Sequence, residues 1–172
     1  SSLYEVADTM TVTGRRLDFS EAPLPDGVDA DVFARMDGYS RIPQITTRLD
    51  VPFDPSGLPT ASDPAISLTP DSPVLLLNLD TGYAQAVMAE PDRSTESTDG
   101  RLLMIRPLRA LAPNQQYGVL VTDALTGVDG EPLPINDAMR ALRDGISTDS
   151  TQLELQRADV EQLFVVAEDF GV

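Results

Sequence analysis

Through the first 134 residues the apolar positions fall in short runs between turn residues, and after residue 135 they recur at helical spacing. The short runs predict strands. Between Ile42 and Val51, Ile45, Thr47 and Leu49 alternate with Gln44, Thr46 and Arg48, as a half-buried strand requires. Val74-Leu-Leu-Leu-Asn-Leu79 is a compact apolar run of strand length, Asp80-Thr-Gly82 is a turn, and Tyr83 to Glu90 is expected as the return strand, with Ala84, Ala86 and Met88 on one face. Arg101 to Arg106 is a further strand, ended by Pro107. Tyr117 to Thr122, with β-branched Val119 and Val121, is the most strand-prone segment, and Gly127-Val-Asp-Gly130 closes it in a tight turn. Weaker alternation runs through Tyr4–Val12 and Arg15–Phe19, around Gly14.

Other segments break these runs. Ala22-Pro-Leu-Pro-Asp-Gly27 reads as a turn-rich loop, and Asp29 to Met36 as one short helix with Asp29 or Asp31 at its start. Residues 52–73 hold six of the fourteen prolines, a density that excludes a central strand or a long helix. Pro91 to Gly100 is a polar loop. Near the end, Ile135, Met139 and Leu142 predict a helix over Ile135–Arg143, capped by Asn136 and stopped at Gly145. A longer helix is expected from Thr151 to Phe170, with Leu153, Val160, Leu163, Phe164, Ala167 and Phe170 in one apolar stripe and Gly171 at its end. That stripe reads as a face docked on the sheet or as an interdomain surface. There is no fixed-period repeat.

The composition narrows the chemistry. With 28 acidic and 12 basic residues the net charge is −16, and every basic residue is arginine. A surface so negative repels a phosphate backbone, so nucleic acid is not an expected partner. It fits a solubilising surface or, less simply, carboxylates gathered around a divalent cation. Cysteine and histidine are both absent, which excludes disulfides, thiolate catalysis and the usual neutral-pH general base. No apolar run reaches transmembrane length. The chain opens on Ser1-Ser2-Leu3-Tyr4 rather than on Met, as a trimmed start would.

The motif that carries the fold is Leu111-Ala-Pro-Asn-Gln-Gln-Tyr117. Its Leu-x-Pro-x-x-x-Tyr spacing, between two predicted strands, is that of a tyrosine corner in an immunoglobulin-like sandwich. Leu111 is expected to plug the core and Pro113 to stiffen the crossover. Tyr117 is expected to start the next strand and return its hydroxyl to upstream backbone. The fold class expected is therefore mainly β, an immunoglobulin-like sandwich with C-terminal helical additions. Residues 1–28 form an N-terminal extension, 29–134 the sandwich strands and 135–172 a helical segment.

The longer stretch Leu103-Met-Ile-Arg-Pro-Leu-Arg-Ala-Leu-Ala-Pro113, running into Tyr117-Gly-Val-Leu-Val-Thr122 and then Asp129-Gly-Glu-Pro-Leu133, resembles the immunoglobulin-like domains that precede the α/β-hydrolase domain in a group of secreted bacterial lipases and esterases. Met36-Asp-Gly-Tyr-Ser-Arg41, followed by Pro43 and a strand, is similar to a segment near the start of those domains, and the helical pair after the last strand matches their layout. The resemblance covers residues 33–172 and rests on order and spacing. It implies a secreted or cell-envelope location, and an α/β-hydrolase catalytic domain as partner, in cis or in trans. In that family a further strand follows the long helix, so the final strand of the sandwich is expected to lie outside this sequence.

Catalytic residues are not expected within the chain. Gly-x-Ser-x-Gly, which sets a serine on a strand-to-helix turn, does not occur; Gly38-Tyr-Ser-Arg-Ile42 lacks the second glycine, and Ser40 reads as a turn hydroxyl. Without histidine no Ser-His-Asp triad assembles. Carboxylate pairs for glycoside hydrolysis are too numerous to inform. No phosphate-binding glycine loop is present, and neither Asp123 with Asp129 nor Asp71 with Asp80 fits a calcium loop. No cofactor or metal is expected. The function expected is a non-catalytic accessory domain of an ester hydrolase, positioning or shielding the catalytic domain. The alternative is an independent extracellular binding or adhesion module.

Overall fold

A computed structural model describes residues 4–20, 22, 24–94 and 101–172. Among the described residues, seven strands form three antiparallel sheets, followed by three α-helices. The strands are β1 (Glu5–Ala7), β2 (Arg15–Leu17), β3 (Ile45–Arg48), β4 (Val74–Asn78), β5 (Val87–Pro91), β6 (Leu102–Pro107) and β7 (Tyr117–Val121). β1 and β2 are a hairpin, β3-β6-β5 a three-stranded sheet and β4-β7 a two-stranded one. The helices are α1 (Asp137–Arg143), α2 (Thr151–Glu154) and α3 (Arg157–Phe170).

Both larger sheets contribute to one core. Val74 and Leu76 of β4, Val87 and Ala89 of β5, and Leu103 and Ile105 of β6 are buried together with Phe53, Leu58, Leu111 and Leu125, and Ile45, Tyr117 and Val119 pack against them. β4 is buried on both sides: Leu75 and Leu77 point away from this core into a second one, formed with Ala167, Leu120, Leu163 and Phe170. Burying each such leucine contributes about 2 kcal/mol. This explains why β4 is an unbroken apolar run rather than an alternating one. Helix α3 lies over the outer face of β4 and β7, and a Cβ at Gly118 would stand 2.5 Å from Leu163 Cδ1. A glycine there lets the helix approach.

Three predicted elements differ in the structure. Tyr83–Glu90 begins as the return partner of β4, with Gln85 N–H donating to Leu76 O (2.8 Å) and Asn78 N–H to Tyr83 O (3.0 Å). From Val87 onward the chain leaves β4 and pairs with β6 in the other sheet. Val87 and Ala89 there join the shared core. The Thr151–Phe170 helix is interrupted at Leu155–Gln156. Ser150 caps the short first piece, and Glu154 turns back to accept from Thr148 N–H (2.8 Å), Thr148 Oγ1 (2.9 Å) and Arg157 Nε (2.7 Å). Arg157 also donates to Ile146 O at 2.7 Å, so the knot of bonds replaces regular helix continuation. Asp29–Met36 forms successive i→i+3 turns around a 3-10 helix, Ala30–Val32, in place of an α-helix; Asp29 accepts from Asp31 N–H at 2.9 Å.

Other local expectations match. Asn136 accepts from Met139 N–H at 2.8 Å, and Gly145 and Gly171 follow helix ends with positive φ. The proline-rich stretch 52–73 is irregular but for a bridge at Phe53 and a 3-10 turn, Ala65–Leu68. It covers the outer edge of β5, where Val87 N–H donates to Ser67 Oγ (3.1 Å) and Ala89 N–H to Pro59 O (2.8 Å). Of the polar loop expected after Pro91, residues 95–100 lie outside the described residues. Among the described residues no helix is long and apolar enough to cross a membrane.

Candidate functional site

The connection from β6 to β7 crosses from one sheet to the other, and its chemistry is concentrated at Tyr117. Ala112 N–H donates to the Tyr117 hydroxyl at 2.9 Å, and that hydroxyl donates to Gln115 Oε1 at 3.2 Å. Leu111, one residue upstream of the donor, is buried in the core, while Pro113 is exposed at the turn. Asn114 completes the turn with φ 55°, a conformation asparagine tolerates better than most residues.

Asn78, at the end of β4, is buried and fully engaged. Its Nδ2 donates to Gln115 Oε1 (2.6 Å) and the Tyr117 hydroxyl (3.2 Å), and its Oδ1 accepts from Asp80 and Thr81 N–H. Asp80 in turn accepts from Gln116 N–H at 2.8 Å. The polar ends of β4 and β7 are thus tied into one network. Sequence reasoning missed Asn78. Its only signal is a polar residue closing an apolar run, and its partners lie 37 and 39 positions away.

A second tie anchors the N-terminal part. Arg41 Nε donates to Leu111 O (2.6 Å), and Leu111 N–H to Arg41 O (2.7 Å). Upstream, Leu17 N–H donates to Met36 O (2.9 Å) and Thr13 Oγ1 to Asp37 O (2.7 Å), so residues 36–41 link the hairpin to the crossover. The Met36–Arg41 motif by itself gives Arg41 no role, because its partner is 70 positions distant.

These elements enclose a cleft of about 950 Å³, bounded by the hairpin, residues 37–45, the crossover, β7 and the first half of α3. Its walls mix apolar groups, among them Ile45, Tyr117, Val119, Val160 and Leu163, with charged ones. Arg15 is paired with Glu5 at 2.6 Å, and Arg16 with Asp18 and Asp8 at 3.5 and 3.8 Å. Burial, then the neighbouring Glu5 and Tyr4, push the Tyr39 phenol up to about 12, so it is a neutral hydrogen-bonding group at ordinary pH. Ser40 Oγ accepts from Ile42 N–H at 3.2 Å, a turn contact.

Leu111, Pro113 and Tyr117 all border the cleft, as do Val160 and Leu163 of the helical stripe. Leu163, Ala167 and Phe170 pack on β4 and β7 within the chain. Leu153, Val160 and Phe164 are half-buried. Asp129 accepts from Glu131 N–H at 3.1 Å in a turn, and among the described residues no group of three acidic side chains is placed to hold a metal ion. The cleft offers apolar surface, backbone groups and paired charges. A scan against models of known protein families and a search of curated proteins find no match for this chain.

Proposed function

We propose that the chain is a non-catalytic, immunoglobulin-like accessory domain of a secreted carboxylic-ester hydrolase, positioning or shielding an α/β-hydrolase catalytic domain in cis or in trans. The observation that carries this reading is the crossover at Tyr117, whose hydroxyl is bonded to Ala112 N–H behind the buried Leu111. Two antiparallel sheets sharing one core on either side of that crossover support the sandwich architecture. The accessory role follows from the resemblance of residues 33–172 to the domains that precede ester hydrolases. Fold alone does not assign that role.

The test uses the native protein from its source. A fluorophosphonate probe, which labels activated serines, is expected to mark either a polypeptide heavier than 18.5 kDa that contains this sequence or a co-purifying hydrolase. A native polypeptide of 18.5 kDa with no labelled partner overturns the proposal. The cleft supports a second reading, a self-standing binding or adhesion module. That reading expects ligand binding by the isolated chain and no hydrolase in the native preparation.

A further inference from the structure

The sheet edges are not treated alike. Along β5 the N–H groups facing outward are those of Val87 and Ala89, both bonded to the 52–73 stretch, and residue 91 is a proline with no N–H. β3 is four residues long, follows Pro43 and ends in the exposed Arg48, features that blunt an edge. The far side of β4 is met by Tyr83 and Gln85.

β7 has none of these protections. It is five residues long, Tyr117-Gly-Val-Leu-Val121, without charge or proline, and pairs only with β4 among the described residues. Leu79 N–H donates to Gln116 O and Thr122 N–H to Pro73 O, so in an antiparallel ladder residues 116, 118, 120 and 122 face β4. Tyr117, Val119 and Val121 therefore present their N–H and C=O groups to the open side. Among the described residues none pairs with those groups. The open edge is bordered by the cleft, which Gln116 to Val119 line together with Pro43–Ile45 on one side and Val160 and Leu163 on the other.

We propose that the β7 edge is a strand-addition site, which takes an extended segment of a partner polypeptide into the cleft and makes it the third strand of the β4-β7 sheet. Beside the edge, Pro43 and Ile45 on one wall and Val160 and Leu163 on the other offer apolar contact, so the segment it fits has a run of four to five apolar, mainly β-branched residues. Five residues span about 17 Å, the length of β7 itself. The partner is not a second copy: pairing two β7 edges would bring together two chains of charge −16. The inference rests on the edge geometry and stands whether or not the accessory-domain reading holds.

The test is amide hydrogen exchange on the whole chain, with a panel of eight-residue peptides carrying a central Val/Ile run and terminal lysines. Alone, the amides of Tyr117, Val119 and Val121 are expected to exchange fast. With a matching peptide they should slow at least about tenfold while those of Gly118 and Leu120 change little. Val121→Pro, which removes an outward N–H and spares the ladder to β4, is expected to abolish the effect. A peptide N-methylated at alternate residues should fail on the unaltered protein, which guards against misfolding of the variant. Three results overturn the proposal: slow exchange of these amides in the monomer alone, no protection from any peptide, or protection that rises with protein concentration as a dimer forms.

Discussion

The N-terminal hairpin and the body of the molecule are held by different means. Among the described residues of 4–36, only Leu17 is a buried apolar residue. The unit depends on Tyr4 and Phe19 at 5.1 Å, Phe19 and Phe33 at 5.2 Å, and a few backbone bonds, while Met10 and Val12 at its tip are 92% and 98% exposed. The body carries two cores separated by a strand whose five residues are all buried. Stability therefore resides in the body. The hairpin is a wall of the cleft that can open locally without unfolding the rest.

The sharpest way to break this contrast is to empty the body's core. Leu75→Ala or Leu77→Ala is expected to cost about 2–5 kcal/mol in denaturant unfolding, since the cavity sits under α3 and cannot collapse freely. Gly118→Val forces side-chain atoms into Leu163 and should cost about 1–3 kcal/mol, lifting α3 from the sheet. Tyr117→Phe removes the hydroxyl that joins Ala112, Asn78 and Gln115; a loss of about 1 kcal/mol in the same measurement is expected. Phe19→Ala should loosen the hairpin alone: amide exchange at β1 and β2 quickens while β4 and β7 keep their protection. Equal loss in both regions would show that they unfold as one unit.

Acid offers the gentlest probe. The Arg157 guanidinium, helped by Thr148, holds the Glu154 carboxyl down to about 2 from its ordinary 4.5. A carboxylate depressed on folding stabilises the fold above its unfolded value, and that contribution fades as pH falls from about 4.5 through 2. Helicity at the α2–α3 junction should therefore decline across that window. Glu154→Gln should remove the dependence.

Much of this fold was legible in local pattern. The apolar run of β4, the β-branched residues of β7, the cap at Asn136 and the stop at Gly171 each follow from the residues that occupy them. The spacing of Leu111, Pro113 and Tyr117 marked the crossover. Legibility ended where the partner is distant. Nothing between Tyr83 and Glu90 states that the chain begins beside β4 and finishes beside β6, because side-chain period names a face and not a neighbour. Legibility also ended close to hand: the break at Leu155–Gln156 contains neither glycine nor proline and arises from Glu154 bonding Thr148 and Arg157, six and three positions away, which helical period and propensity do not state.

The sequence by itself determined most of the segments that extend, the Asn136 cap of α1 and the stop of α3 at Gly171, because propensity, capping and period act over a few residues. It also determined the absence of histidine and cysteine chemistry. Only the tertiary structure decided the cleft, the ties from Arg41 to Leu111 and from Asn78 to Tyr117, and the open edge of β7. Each depends on groups tens of residues apart meeting in space, and which strand edge stays unpaired is settled only after every other edge has found its cover.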